Sequence, residues 1–173
     1  VWTPGTPFGT VLRGLSDLGI SIPVLTTGAN MSVDLMKRYA ATLPHDLYFV
    51  NGGYLAGVAA NPAIGAEERR FLSALKLHDA PLDGVTGLAW DPARIILAAY
   101  SRLSFAATSP QIRAYIASIR DYAGIRGEYD FRNSQRGLGE KDLIVLRWDS
   151  KSGTWAAVSG FSGLPFPSKS KTQ

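Results

Sequence analysis

At 173 residues, with 46% hydrophobic and 18% charged residues, the chain is long enough to bury a core and too apolar to be disordered over most of its length. It has no cysteine, which excludes thiol catalysis, thiolate metal sites and a disulfide framework. The net charge of +4 comes from scattered Lys and Arg, with Lys169 and Lys171 in the last stretch, so no basic stripe points to nucleic acid, and no apolar run reaches the roughly 20 residues of a membrane-spanning helix.

Val1 is not an initiator Met and no signal peptide opens the sequence, which reads as beginning inside a strand; a truncated or processed product is the expectation. Val1-Trp2 reads as the end of that strand, and Thr6-Pro7 as an N-cap with proline at the first helical position. Phe8, Val11, Leu12, Leu15 and Leu18 recur at helical spacing, and Gly19 supplies the stop. Ile20 to Leu25 is a short β-branched run, followed by the polar loop Thr26-Thr27-Gly28-Ala29-Asn30. Ser32 caps a helix with Leu35, Met36, Tyr39 and Leu43 on one face; Pro44 ends it, and Asp46 to Val50 reads as the next strand. This alternation is that of a parallel α/β sheet.

After Asn51-Gly52-Gly53 the pattern changes. Glu67 and Glu68 suit the first turn of a helix carrying Phe71, Leu72 and Leu75. Asp91-Pro92 and Ser109-Pro110 each read as a cap followed by proline, leading into Ile95, Ile96, Leu97, Tyr100 and Leu103, and into Ile112, Tyr115, Ile116 and Ile119. Three helices thus follow with no strand between them, and their apolar faces need a sheet that this segment does not supply. From Leu143 to Trp148 and from Thr154 to Val158 the sequence is β again, joined at Asp149-Ser150-Lys151-Ser152-Gly153 as a hairpin. Gly160 to Gln173, rich in Ser, Pro and Lys, reads as a loose tail.

To about Val158 the chain resembles the type I periplasmic solute-binding proteins of the branched-chain amino-acid ABC transporter family. The resemblance rests on Val1-Trp2-Thr3-Pro4-Gly5-Thr6-Pro7, Leu12-Arg13, Leu18-Gly19-Ile20, Pro23-Val24, Thr26-Thr27-Gly28 and Trp90-Asp91 before an alanine-rich helix. It is completed by Gly127-Glu128-Tyr129-Asp130-Phe131, Gly137 and a hairpin ending in Gly153-Thr154-Trp155. It implies an α/β fold of two Rossmann-like lobes joined by crossing strands, of which this chain is the C-terminal half. Residues 1–54 would belong to lobe two, 55–128 to lobe one, 129–159 to lobe two again, and 160–173 to a tail, with crossings near Gly53 and Tyr129. The N-terminal half of the protein would then be a partner, as would an ABC permease in the membrane. The implied role is periplasmic capture of a small organic ligand, amino-acid-like or an aliphatic or aromatic carboxylate; a ligand-sensing domain of the same fold is the alternative.

Ligands of parallel α/β sheets bind beyond the carboxyl ends of the strands, where loops and helix N-termini offer polar groups. Thr3, Gly5 and Thr6 occupy one such place, and Thr27, Gly28 and Asn30 the other, with Thr27 and Gly28 matching family positions that touch ligand. Two readings stay open for several of them: Thr6 binds ligand or only caps its helix, and Asn30 binds ligand or only shapes a turn. Tyr54 lines the cleft or packs the hinge, and Gly52-Gly53 is flexible or a tight passage. Trp90 is an aromatic wall of the cleft or a core residue. Where relatives that bind amino acids place an acidic side chain, Thr26 to Asn30 has none, nor has Val1 to Pro7, so a ligand without a primary ammonium group is expected.

Catalysis has little support. His45 and His78 lie far apart in polar contexts without metal-ligand spacing, and Glu67-Glu68 with Arg69-Arg70 reads as a solvated helix face. Gly5, Gly9 and Gly14 do not form the dinucleotide fingerprint, and no phosphate loop occurs. No enzyme activity, cofactor or metal is implied.

Overall fold

In a computed structural model, which describes residues 1–132 and 134–166, the elements run α1 (Thr6–Asp17), β1 (Val24–Thr26), α2 (Val33–Arg38), β2 (Leu47–Asn51), α3 (Pro62–Leu77), α4 (Gly84–Leu103), α5 (Ser109–Ser118), β3 (Tyr122–Ala123), β4 (Glu128–Tyr129), β5 (Ile144–Asp149) and β6 (Thr154–Ala157). One sheet has the order β1-β2-β5-β6 and β3 with β4 forms a separate pair. The first two strands are parallel, with Val24 opposite Leu47, because α2 returns the chain across the sheet. The last two join antiparallel, with Phe49 opposite Leu146 and Trp148 opposite Trp155.

Alternation along the strands determines which face is covered. Val24, Leu47, Phe49, Ile144, Leu146, Trp148 and Trp155 are buried with Phe8 and Leu12 of α1 and Met36 of α2. The opposite face keeps Leu25 and Val50 exposed. Trp155 packs edge-on to Phe49 at 5.0 Å and against Trp148 at 4.6 Å.

Several local expectations change. Val1-Trp2 forms no strand, although the Val1 ammonium donates to the Leu25 carbonyl at 2.8 Å along β1. The cap of α1 is Gly5 and not Thr6: Gly5 has φ 67°, the left-handed region that favours glycine, and no side chain caps the first turn. The helix expected near Glu67 begins a turn and a half earlier, where Asn61 caps Ile64 N and Pro62 opens α3. Asp91-Pro92 starts nothing. Asp83 caps α4 by accepting from Thr86 N at 2.8 Å, and Pro92 lies inside the helix. The cap of α5 is Thr108, whose N–H and hydroxyl both donate to Gln111 Oε1, so Ser109 is already helical.

From Gly160 the expected looseness is absent up to Leu164: Gly160 N donates to the Leu164 carbonyl at 2.7 Å and Ser162 N to the Leu143 carbonyl at 2.9 Å, docking the turn beside β5. The remainder of the expected tail, 167–173, lies outside the described residues. The three helices do follow one another without a strand. Ile95 of α4, Ile119 and Tyr129 form a small second core with Tyr115, Tyr122 and Phe131 packed around it. Leu72, Leu88, Ile96, Leu97 and Phe105 remain exposed, and an open apolar groove of about 360 Å³ runs between α3 and α4 along Phe71, Leu75, Ala89, Trp90 and Ala93. Among the described residues no helix is long and apolar enough to cross a membrane.

Candidate functional site

The parallel strands β1 and β2 end at the same edge of the sheet, and β5 begins there, since Asn51 pairs with Ile144. Four segments therefore meet at that edge: the loop after Thr26, the passage after Asn51, the N-terminus of α4 and the turn between β3 and β4.

Asn30 organises the first segment. Its side chain is fully buried; Oδ1 accepts from Gly5 N at 2.9 Å, and Nδ2 donates to the Thr3 carbonyl at 2.9 Å and to Thr26 Oγ1 at 2.8 Å. Both amide protons and the carbonyl are thus occupied, so Asn30 fastens the loop before α1 to the end of β1 and keeps no donor for a ligand. The Thr3 carbonyl and the Gly5 amide are spent on the same knot. Thr6 is different: it sits exposed at the start of α1, whose first turn has no side-chain cap, so its hydroxyl and the helix N-terminus face outward together. Thr27 accepts from Ala29 N at 3.3 Å and caps the short turn Gly28–Asn30.

The segments approach so closely that a side chain would crowd its neighbours at Gly28 and clash at Gly84 and Gly52. A Cβ on Gly28 would lie 3.1 Å from the Val50 carbonyl, one on Gly84 2.7 Å from Met31 Cβ, and one on Gly52 2.8 Å from Arg126 Cα. Gly84 N donates to the Met31 carbonyl at 2.7 Å, joining α4 to the loop after β1. Gly52 is therefore a tight passage. Tyr54 is buried, edge-on to Phe71 at 5.8 Å, with its hydroxyl donating to the Asp83 carbonyl at 3.4 Å; burial pushes that phenol well above its usual range. A Cβ at Gly87 would meet the Tyr54 hydroxyl, so that glycine makes room for it. Tyr54 packs the junction.

Asp91, expected as a cap, is fully buried and holds the turn between β3 and β4. Its carboxylate accepts from Ile125 N at 2.8 Å, Arg126 N at 3.1 Å and the Tyr129 hydroxyl at 3.0 Å. Burial raises its pKa, and those three donors oppose the rise. Asp142 holds this segment from the other side, accepting from Glu128 N at 3.1 Å and Gly139 N at 2.9 Å. Of the α3 residues expected to be solvated, Arg69 and Arg70 are exposed but Glu67 and Glu68 are buried, and Glu67 accepts from Trp90 Nε1 at 3.0 Å, Arg94 Nε at 3.0 Å and Arg70 at 3.1 Å. Trp90 is tilted against Phe71 at 5.2 Å on the α3–α4 groove.

The structure thus brings Thr3, Gly5, Thr6, Thr27, Gly28 and Asn30 together at one strand edge, with Tyr54 beside them under α4, and places Trp90 against α3. Sequence reasoning passed over Asp83 and Arg126. The string Asp83-Gly84-Val85-Thr86 carried a readable capping signal; Arg126 carried none, because its place depends on two segments far apart in sequence meeting.

No protein-family model and no curated protein matches the sequence. Solved structures match over nearly the whole chain. An extracellular ligand-binding receptor from Rhodopseudomonas palustris HaA2 aligns with a TM-score of 0.73 at 16% identity, covering 90% of this chain and 46% of its own. A leucine-binding protein from Thermotoga maritima aligns at 0.71 and 15% identity, covering 91% and 42%. A branched-chain amino-acid transporter substrate-binding protein from Streptococcus pneumoniae, in complex with isoleucine, aligns at 0.60 and 17%, covering 91% and 43%. The chain has the α/β fold of type I periplasmic binding proteins, as the family resemblance implied, and spans less than half the length of the solved structures it matches.

Proposed function

We propose that this chain is the C-terminal half of a periplasmic solute-binding subunit that captures a small organic ligand between two lobes and delivers it to an ABC permease, without making or breaking a bond. The observation that carries the reading is the meeting, at one edge, of two parallel strand ends, the N-terminus of α1 with no side-chain cap, the passage at Gly52 and the turn between β3 and β4. Thr6, Thr27 and Gly28 are the ligand-facing groups there, while Thr3, Gly5 and Asn30 build the loop that presents them and Tyr54 with Trp90 pack the lobe-one helices. The ligand lacks a primary ammonium group. Asp83, Asp91 and Asp142, the acids buried around this edge, are all committed to backbone N–H donors, and a desolvated ammonium without a carboxylate partner would be costly.

Ligand that binds the native state raises its apparent stability. Thermal-shift measurements on the complete protein against amino acids, aliphatic acids and aromatic acids should show a concentration-dependent rise with at least one acid, and co-purification should recover permease components. A flat response to every compound would sink the solute-binding reading. Tight binding of leucine or valine with none of the acids would sink the ligand class alone.

A further inference from the structure

We propose that Arg126 is the anion anchor of the binding cleft, holding the carboxylate of the ligand through its guanidinium; the inference rests on the solute-binding reading above. Arg126 sits in the turn between β3 and β4, and the backbone of Gly52 abuts its Cα and carbonyl so closely that a Cβ on Gly52 would lie 2.8 and 2.9 Å from them. Its own main chain is pinned, since Asp91 takes the N–H groups of both Ile125 and Arg126. A side chain launched from so constrained a backbone is pre-positioned, which lowers the entropy cost of binding.

The guanidinium itself is unspent. Its Nε is buried with no hydrogen-bond partner, and no carboxylate of the described residues forms an ion pair with Arg126. Asp91, whose carboxyl feels the Arg126 charge, already accepts from three other donors and forms no ion pair with the guanidinium. Buried donors without acceptors are rare in native proteins because the desolvation is uncompensated. An arginine fork in a half-buried site is matched in shape and charge by a carboxylate, which can accept two parallel N–H bonds. The strand-end loops Thr3 to Thr6 and Thr27 to Asn30 contribute no acid, and the acids buried around this edge, Asp83, Asp91 and Asp142, are each engaged by backbone N–H donors.

The test uses calorimetric titration of the complete protein with matched pairs: benzoate and benzamide, 4-hydroxybenzoate and 4-hydroxybenzamide, hexanoate and hexanamide. The carboxylate of at least one pair should bind at least tenfold more tightly than its amide. Arg126→Gln should weaken that carboxylate at least tenfold and leave the amide unchanged, and Arg126→Lys should fall between, because an ammonium restores the charge and not the fork. Equal weakening of acid and amide would mean that Arg126 pairs with an acidic side chain elsewhere in the protein, and would overturn the proposal. So would an unchanged carboxylate affinity in Arg126→Gln, or binding of neutral solutes alone. Loss of every binding signal in the unsubstituted protein would instead refute the solute-binding reading on which this one stands.

Discussion

Two buried polar side chains behave in opposite ways. Asn30 has every donor and acceptor used, so its burial is compensated and it fixes the geometry of the strand edge. Glu68, on the inward face of α3, is buried with Oε1 lacking any partner, and burial pushes its carboxyl up to about 7, only partly opposed by neighbouring Arg69. Its folded value lies above the unfolded one, so the folded state binds the proton more tightly. The protein is therefore most stable, with respect to this group, below the unfolded value of 4.5, and loses that stability as pH rises from there to about 7. Glu68→Gln should remove this pH dependence and raise stability at pH 8 by on the order of 2 kcal/mol while changing little at pH 4.5. Chemical unfolding of both proteins at the two pH values decides it; an equal effect at both would mean that Glu68 acts through its shape and not its charge.

At the scale of elements, α4 is fastened to the β3–β4 pair by one carboxylate. Asp91→Ala would leave Ile125 N, Arg126 N and the Tyr129 hydroxyl without their acceptor, at a cost of about 3 kcal/mol or more, since each is a donor stranded in the interior. Urea unfolding should show that loss, and hydrogen exchange at the Ile125 and Arg126 amides should accelerate beyond the global change; exchange that follows global stability alone would mean the turn is held by other contacts. Asp91 also shows where local reading reaches its limit. An aspartate before a proline is a good helix start in isolation, and nothing within a few residues reveals that the acceptor is claimed by donors more than 30 positions away. The same holds for Glu67, whose solvated reading failed because Trp90 and Arg94 arrive from another helix. Elements with strong periodicity were legible, including α1, the strand pair β1 and β2, and the closing hairpin. The antiparallel insertion of β5 next to β2 was not legible from periodicity, because pairing partners nearly a hundred residues apart leave no local trace. At the strand edge the polar loops could be located, but whether Asn30 faced a ligand or closed a knot depended on the Gly5 amide and Thr3 carbonyl lying within reach of it.

Across the whole molecule, the covered and bare surfaces divide along the secondary structure and not at random. One face of the β1-β2-β5-β6 sheet is packed, while the other leaves Leu25 and Val50 open. On the helical side, Leu88, Ile96 and Leu97 of α4 and Leu72 of α3 are exposed beside the apolar groove along Phe71 and Trp90. Isolated exposed leucines are ordinary, but contiguous apolar faces on both a sheet and a helix layer are characteristic of surfaces that another element covers. The matched structures are about twice as long and share this fold, and we propose that the rest of the same protein supplies that cover, a sheet under α3 to α5 and helices over the open face. The 173 residues produced alone should therefore self-associate in sedimentation velocity and unfold with a shallow, weakly cooperative denaturant transition. Adding the remaining segment in trans should restore a single species with a steep transition, because the buried area, and with it the denaturant slope, would grow. A monodisperse monomer of residues 1–173 that unfolds steeply at a high denaturant concentration would show that these faces need no cover.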